Sequence, residues 1–136
     1  MKKQFILVAF AALLLASCGG NKAKKGIDNV TGRWFVYMDA ERTEVDSTAY
    51  FEFFDDKTYV RHFHDAALTE TGTYATDDTK KDYGVPSRRV DLTNQADERY
   101  FLDIVEDGKD FLVITRYQMN SEKEDIESYS FEPAKK

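Results

Sequence analysis

From about residue 30 onwards, apolar and polar side chains alternate in short runs, and no long stretch repeats apolar residues at the spacing of an amphipathic helix. Phe51 and Phe53 alternate with Tyr50 and Glu52, while Tyr100, Leu102 and Ile104 share one parity and Phe101 and Val105 the other. A period of two belongs to a strand, whose successive side chains point to opposite faces. The pattern predicts eight strands, over residues 32–38, 48–54, 58–64, 70–76, 88–93, 99–106, 110–119 and 126–132. Asp55-Asp56-Lys57 and Glu106-Asp107-Gly108-Lys109 read as hairpin turns, and Glu122-Lys123-Glu124-Asp125 as a solvated hairpin loop. Short links favour antiparallel neighbours. Eight such strands most simply close into an all-β, up-and-down meander barrel with no exposed edge.

Two links are longer. Residues 39–47 are charged, and residues 77–87 are polar and contain Pro86, which cannot donate to a central ladder. Strand seven carries Phe111, Val113 and Tyr117 on one face and Leu112, Ile114 and Arg116 on the other, so strands six and seven are apolar on both sides. Either loops or a partner cover the outer wall there, or that wall is itself a binding surface.

Composition narrows the function classes. Aromatic residues make up 14% of the chain, with eight Tyr and ten Phe, which suits strands packed around a barrel core. The net charge is −6, and removing the two charges of Lys2 and Lys3 leaves −8 beyond residue 17. Such acidity argues against nucleic acid and against an electrostatic membrane patch on the folded domain. Cys18 is the only cysteine, so no intrachain disulfide can staple the fold.

The N-terminus has a basic start, Lys2-Lys3, then an apolar segment, 5–15, that is short for a transmembrane helix. It ends in Leu15-Ala16-Ser17-Cys18, which resembles the bacterial lipobox: an aliphatic residue, two small residues and Cys. That resemblance implies a signal peptide over 1–17 and a mature N-terminus at Cys18, acylated on its thiol and its freed amine. Two or three acyl chains would hold the protein on a membrane, since each buried CH₂ contributes roughly 0.8 kcal/mol and one chain anchors only marginally. Residues 18–29 then form a flexible tether rich in Gly and Lys. No acid precedes Asp28, so the acidic mark that some bacteria place after the Cys of surface lipoproteins is absent. The expected location is the cell envelope, on the outer membrane facing the periplasm, with the lipid anchor as membrane partner.

The order of motifs over 30–132 resembles the small lipocalin-like domains of bacterial lipoproteins. Gly32-Arg33-Trp34 looks like the G-x-W that enters the first strand. Residues 53–59, Phe-Phe-Asp-Asp-Lys-Thr-Tyr, look like the F-x-x-D-G-T-Y hairpin with Lys57 in place of Gly, and Thr71-Gly72-Thr73-Tyr74 looks like the G-x-Y strand. Val90-Asp91-Leu92-Thr93 and Phe111-Leu112-Val113-Ile114 sit where later wall strands are expected. The T-D-Y signature of a late loop and a C-terminal helix have no counterpart. The resemblance implies a lipocalin-like barrel over 30–133 with a short tail, 134–136. It also implies that Trp34 plugs the closed end, that Gly32 allows the tight turn beneath it, and that Arg116 closes over Trp34 by cation–π contact and caps to backbone carbonyls. A small hydrophobic or amphiphilic ligand would sit in the mouth, near Phe51, Phe53, Tyr59 and Tyr74.

Three constellations carry candidate chemistry. His62 and His64, two apart on one strand, share a face and could begin a metal site with Asp65 or Glu52, if Tyr50 pairs opposite His62. If Phe51 does, the histidines turn inward and Glu52 faces Arg61. Solvent-facing histidines are the commoner outcome, so no metal or other cofactor is expected. Arg61 is either one half of an outer-face ion pair with Glu52 or a buried cation among Phe51, Phe53, Tyr59 and Phe63, able to grip an acidic amphiphile. Catalysis has little support: after lipidation no free thiol remains, and there is no G-x-S-x-G elbow or glycine-rich phosphate loop. The sequence therefore reads as a non-enzymatic ligand binder of the envelope, with a protein-interaction module, an accessory subunit or inhibitor of an envelope enzyme, as the alternative.

Overall fold

The alternation of short apolar runs is realised as eight strands closed into one antiparallel barrel, each paired with its neighbour in sequence and β1 with β8. The computed structural model describes residues 26–64, 67–117 and 120–134, with the side chains of 120–123 left aside. Cys18, the signal segment 1–17 and most of the expected tether therefore lie outside the described residues. The strands are β1 (Gly32–Tyr37), β2 (Val45–Phe53), β3 (Thr58–His62), β4 (Thr69–Asp77), β5 (Ser87–Asn94), β6 (Arg99–Asp107), β7 (Asp110–Tyr117) and β8 (Asn120–Pro133). No helix occurs among the described residues.

Strand β8 begins six residues earlier than its sequence pattern implied. The run 122–125 is part of it, with Glu124 opposite Arg116 and Asp125 opposite Thr115. Glu124 is solvated on the outer face, and Asp125, of the opposite parity, is also exposed, so the run has the composition of a loop. Arg116 Nη2 meets Glu124 Oε2 at 3.2 Å on that face.

One end of the barrel is closed by aromatic packing. Trp34, 1% exposed, meets Phe111 edge-on at 5.0 Å and Phe131 at 4.3 Å. Its indole N–H donates to the Val30 carbonyl at 2.9 Å. Gly26 and Ile27, assigned to the flexible tether on sequence, are buried beneath this plug. Next to it, Phe53 packs on Tyr74 at 4.8 Å and Tyr59 at 6.0 Å, above Val90, Leu92, Leu102, Ile104 and Val113, all buried. This half of the barrel is filled by its own side chains, as small barrels commonly are.

The two motif glycines have steric reasons. A Cβ on Gly32, whose φ is +142°, would stand 2.3 Å from the Glu132 carbonyl oxygen, and one on Gly72 would stand 2.0 Å from that of Thr93. Both contacts are with the backbone of the neighbouring strand, so no rotamer change relieves them. Lys57, standing where the resemblance expects Gly, adopts φ +70°, so the turn keeps its left-handed geometry without glycine.

Gly72→Ala should therefore prise β4 from β5 and cost at least the roughly 1–3 kcal/mol typical of overpacking. Gly108→Ala, with open space around its Cβ, should cost only the roughly 1–2 kcal/mol of a left-handed non-glycine residue. Urea denaturation of the two variants would check the order.

Candidate functional site

The pairing of β2 with β3 decides which way Arg61 points. Tyr50 lies opposite His62, Phe51 opposite Arg61, and Phe53 opposite Tyr59. Phe51 and Phe53 are core residues, so Tyr59, Arg61 and Phe63 share their inward parity. Arg61 is thus inside the barrel, and the outer-face pair with Glu52 does not form. Glu52 instead meets Arg33 Nε at 3.3 Å. His62 goes outward and stacks on Tyr50 at 4.5 Å. His64 Nδ1 pairs with the Asp46 carboxylate, which also accepts from Thr48 N at 2.9 Å and Thr48 Oγ1 at 2.6 Å. The Thr48 bonds, then the histidine, hold Asp46 below the usual carboxylate range. Among the described residues no three metal-ligating side chains come together.

Around Arg61 the interior changes character. Its guanidinium lies 4.6 Å from the Phe51 ring centroid, 4.5 Å from that of Phe63 and 5.7 Å from that of Tyr100. Arg61 Nη1 donates to the Tyr100 hydroxyl at 3.2 Å. That hydroxyl donates to Glu70 Oε2 at 2.5 Å, and Tyr59 donates to the same oxygen at 2.6 Å. Cation and carboxylate are therefore linked through a tyrosine, and no direct ion pair of Arg61 is present among the described residues. Burial by itself would lower the pKa of Arg61, but the phenol oxygens of Tyr100, Tyr129 and Tyr117 more than offset this and raise it. Burial first, then the bond to Glu70, raises the pKa of Tyr59. Tyr100 is raised chiefly by burial, with Arg61 opposing.

Beside this group lies a cavity of about 400 Å³ that opens to solvent. Phe51, Arg61, Phe63 and Tyr129 line it, together with the buried Asp46 and the exposed Met38, His64 and Glu127. A break in pairing makes room for it: Phe35 faces Tyr50, but two residues on Tyr37 faces Val45. Residues 46–49 bulge out of the ladder there, and Asp46 and Ala49 line the cavity. Of the six residues expected at a ligand, Phe51, Arg61 and Phe63 reach the cavity, whereas Phe53, Tyr59 and Tyr74 belong to the packed floor beyond it. Tyr100 and Glu70 were missed by sequence reasoning. Their signal was parity, Glu70 with Tyr74 on β4 and Tyr100 with Leu102 on β6.

Arg116 does not close over Trp34. It shares the outward parity of Leu112 and Ile114, pairs with Glu124 and has Nη2 3.5 Å from the Tyr83 hydroxyl. The arginine at the closed end is Arg88, whose Nε donates to the Ile27 carbonyl at 2.8 Å and whose Nη1 meets Asp78 at 3.0 Å. On the outer wall, residues 78–86 form a strap over β6. Tyr83 donates to Asp103 Oδ2 at 2.7 Å, and Arg89 holds both Asp103 oxygens, at 2.8 and 3.1 Å. Asp103 is 0% exposed, and Val105 beside it is buried. Much of the apolar outer wall seen in the sequence is thus covered from within the chain.

No protein family, curated protein or solved structure matches this chain.

Burial would raise the Asp103 pKa, but the bonds from Arg89 and Tyr83 outweigh it and lower it. A carboxylate lowered on folding stabilises fully above its unfolded value of about 3.9 and loses that contribution as pH falls through the folded value. Asp103→Asn should therefore cost about 3 kcal/mol at neutral pH by leaving Arg89 unpaired. The gap from wild type should be constant above about pH 4 and narrow in stronger acid, as thermal unfolding across pH would reveal.

Proposed function

We propose that this chain is a lipid-anchored, lipocalin-like protein of the cell envelope that binds a small amphiphilic molecule in the mouth of its barrel and catalyses no reaction. The observation that carries this reading is the cavity of about 400 Å³ beside a half-buried, inward-pointing arginine. Its volume lies at the small end of ligand sites, which run about 300–1,000 Å³, and its aromatic walls with a few convergent polar groups suit such a site. The filled closed half limits the depth to which a ligand enters. The exposed large apolar residues of the outer surface, such as Val85 and Ile126, are better explained as scattered positions than as a docking face. The anchor rests on Cys18 and the lipobox resemblance, and the lack of an acid between Cys18 and Asp28 supports the outer membrane facing the periplasm as its site.

Two measurements test the proposal. Labelled palmitate should enter the wild-type protein and not Cys18→Ala. Native mass spectrometry of protein released from its own envelope should show a co-purifying small molecule. Ala49→Trp, which places an indole in the cavity, should lose that molecule while keeping a cooperative unfolding transition. Protein that is empty in every preparation, with no amphiphile retained on addition, would refute the ligand reading.

A further inference from the structure

We infer that the cavity takes a single-chain monocarboxylate head first, with the carboxylate on Arg61 and the apolar tail leaving past Phe63 and Met38. This rests on the ligand-binding reading and names the class of ligand and its orientation.

The first argument is donor accounting. A guanidinium offers five N–H donors in a planar fork. Among the described residues, one bond from Arg61 to a protein acceptor is present, Nη1 to Tyr100. The rest of the head lies between aromatic rings and borders the cavity. Rings stabilise a cation by its charge but do not accept its hydrogen bonds as a carboxylate does. Glu70, opposite Arg61 on β4, is already engaged by Tyr59 and Tyr100. A planar two-oxygen anion is the partner whose geometry matches the unused fork.

The second argument is the charge arrangement along the cavity. The inner end holds the cation. At the exposed edge the lining carries Glu127, and the whole chain has net charge −6. A ligand with a second negative group at its outer end would meet like charge at the rim, which costs affinity. One anionic head with one apolar tail satisfies both ends.

The third argument is stability. Arg61 is half-buried and has no direct counter-ion among the described residues, so it contributes little to folding, and an apolar residue of similar shape in its place should be near neutral. The place of Arg61 among Phe51, Phe63 and Tyr100 is therefore explained by what it binds better than by what it holds together.

The test measures equilibrium binding of labelled decanoate, decanol and methyl decanoate to the full chain in lipid discs, with empty discs subtracted. Decanoate should bind the wild type at one site at least tenfold tighter than either neutral analogue. Arg61→Met should bring decanoate down to the level of decanol, leave decanol within about twofold, and melt near the wild-type temperature. Equal affinity for decanoate and decanol in the wild type would overturn the head-first assignment while leaving a neutral ligand in the cavity. Absence of binding by all three would overturn the underlying ligand reading as well. A carboxylate preference that survives in Arg61→Met would overturn the assignment of the carboxylate to Arg61 while leaving the ligand reading intact. The comparison of decanoate with its methyl ester needs no variant, so equal binding of the two overturns the proposal even if Arg61→Met fails to fold.

Discussion

The pairing of β1 with β8 is the constraint on which the rest of this structure depends. Trp34 opposite Phe131 and Gly32 opposite Pro133 join the first strand to the last and turn an open meander into a ring. Once the ring is closed, no edge remains to pair with another chain, and every inward side chain shares one interior of fixed width. Closure also brings the end of β8 so near the start of β1 that only glycine fits at position 32. The Trp34 plug, the burial of Gly26 and Ile27 beneath it and the Arg88 bond to Ile27 all follow from closing the barrel at that end.

An interior of fixed width cannot hold all the aromatic residues in the same way. At the closed end, Trp34, Phe53, Tyr59, Tyr74, Phe111 and Phe131 pack against aliphatic residues and leave little room. Towards the mouth the inward residues become polar: Arg61 from β3, Glu70 from β4, Tyr100 from β6 and Tyr129 from β8. Their hydroxyls and charges require partners, and they find them only in part. Glu70 is supplied by two tyrosines, while Arg61 receives one hydroxyl and the faces of three rings. The bulge of β2 between the Phe35 and Tyr37 pairings opens the wall beside this group. Packing at one end and incomplete polar satisfaction at the other are thus two results of one closed ring.

The outer wall solves a different problem. Strands β6 and β7 are apolar on both faces, which in an open sheet would call for a second layer. Here the strap 78–86 supplies part of that layer, fixed by Tyr83 on Asp103, while Arg89 lies over Phe101 at 4.0 Å. The alternative of a protein docking on this wall loses much of its surface to the chain's own loop. Pro86, which signalled a break between strands, lies in this strap, and its carbonyl accepts from Glu106 N at 3.0 Å.

Much of this was legible in the sequence. Period-two alternation and turn chemistry determined the strands, their order and the barrel, because these depend on neighbours in the chain. The inward face of β6 and β7 was not readable, since Leu102 and Ile104 alternate with Phe101 and Val105, and Val113 with Leu112 and Ile114, so both faces are apolar. The start of β8 was not, because a solvated stretch of strand and a solvated loop have the same composition. The direction of β3 was not either. Tyr59, Arg61 and Phe63 on one face and Val60, His62 and His64 on the other are both mixtures of apolar and polar groups, so local preference does not separate them. Only the ladder with β2, whose Phe51 and Phe53 had to be buried, decided it. That long-range pairing put Arg61 inside, sent His62 outward and brought Glu70 and Tyr100 to its side. Arg116 illustrates the same limit: its place over Trp34 was inferred from resemblance, and its parity on β7 put it on the other side of the wall. Local chemistry determined which strands form, and closure of the barrel alone decided which of their faces shares the interior.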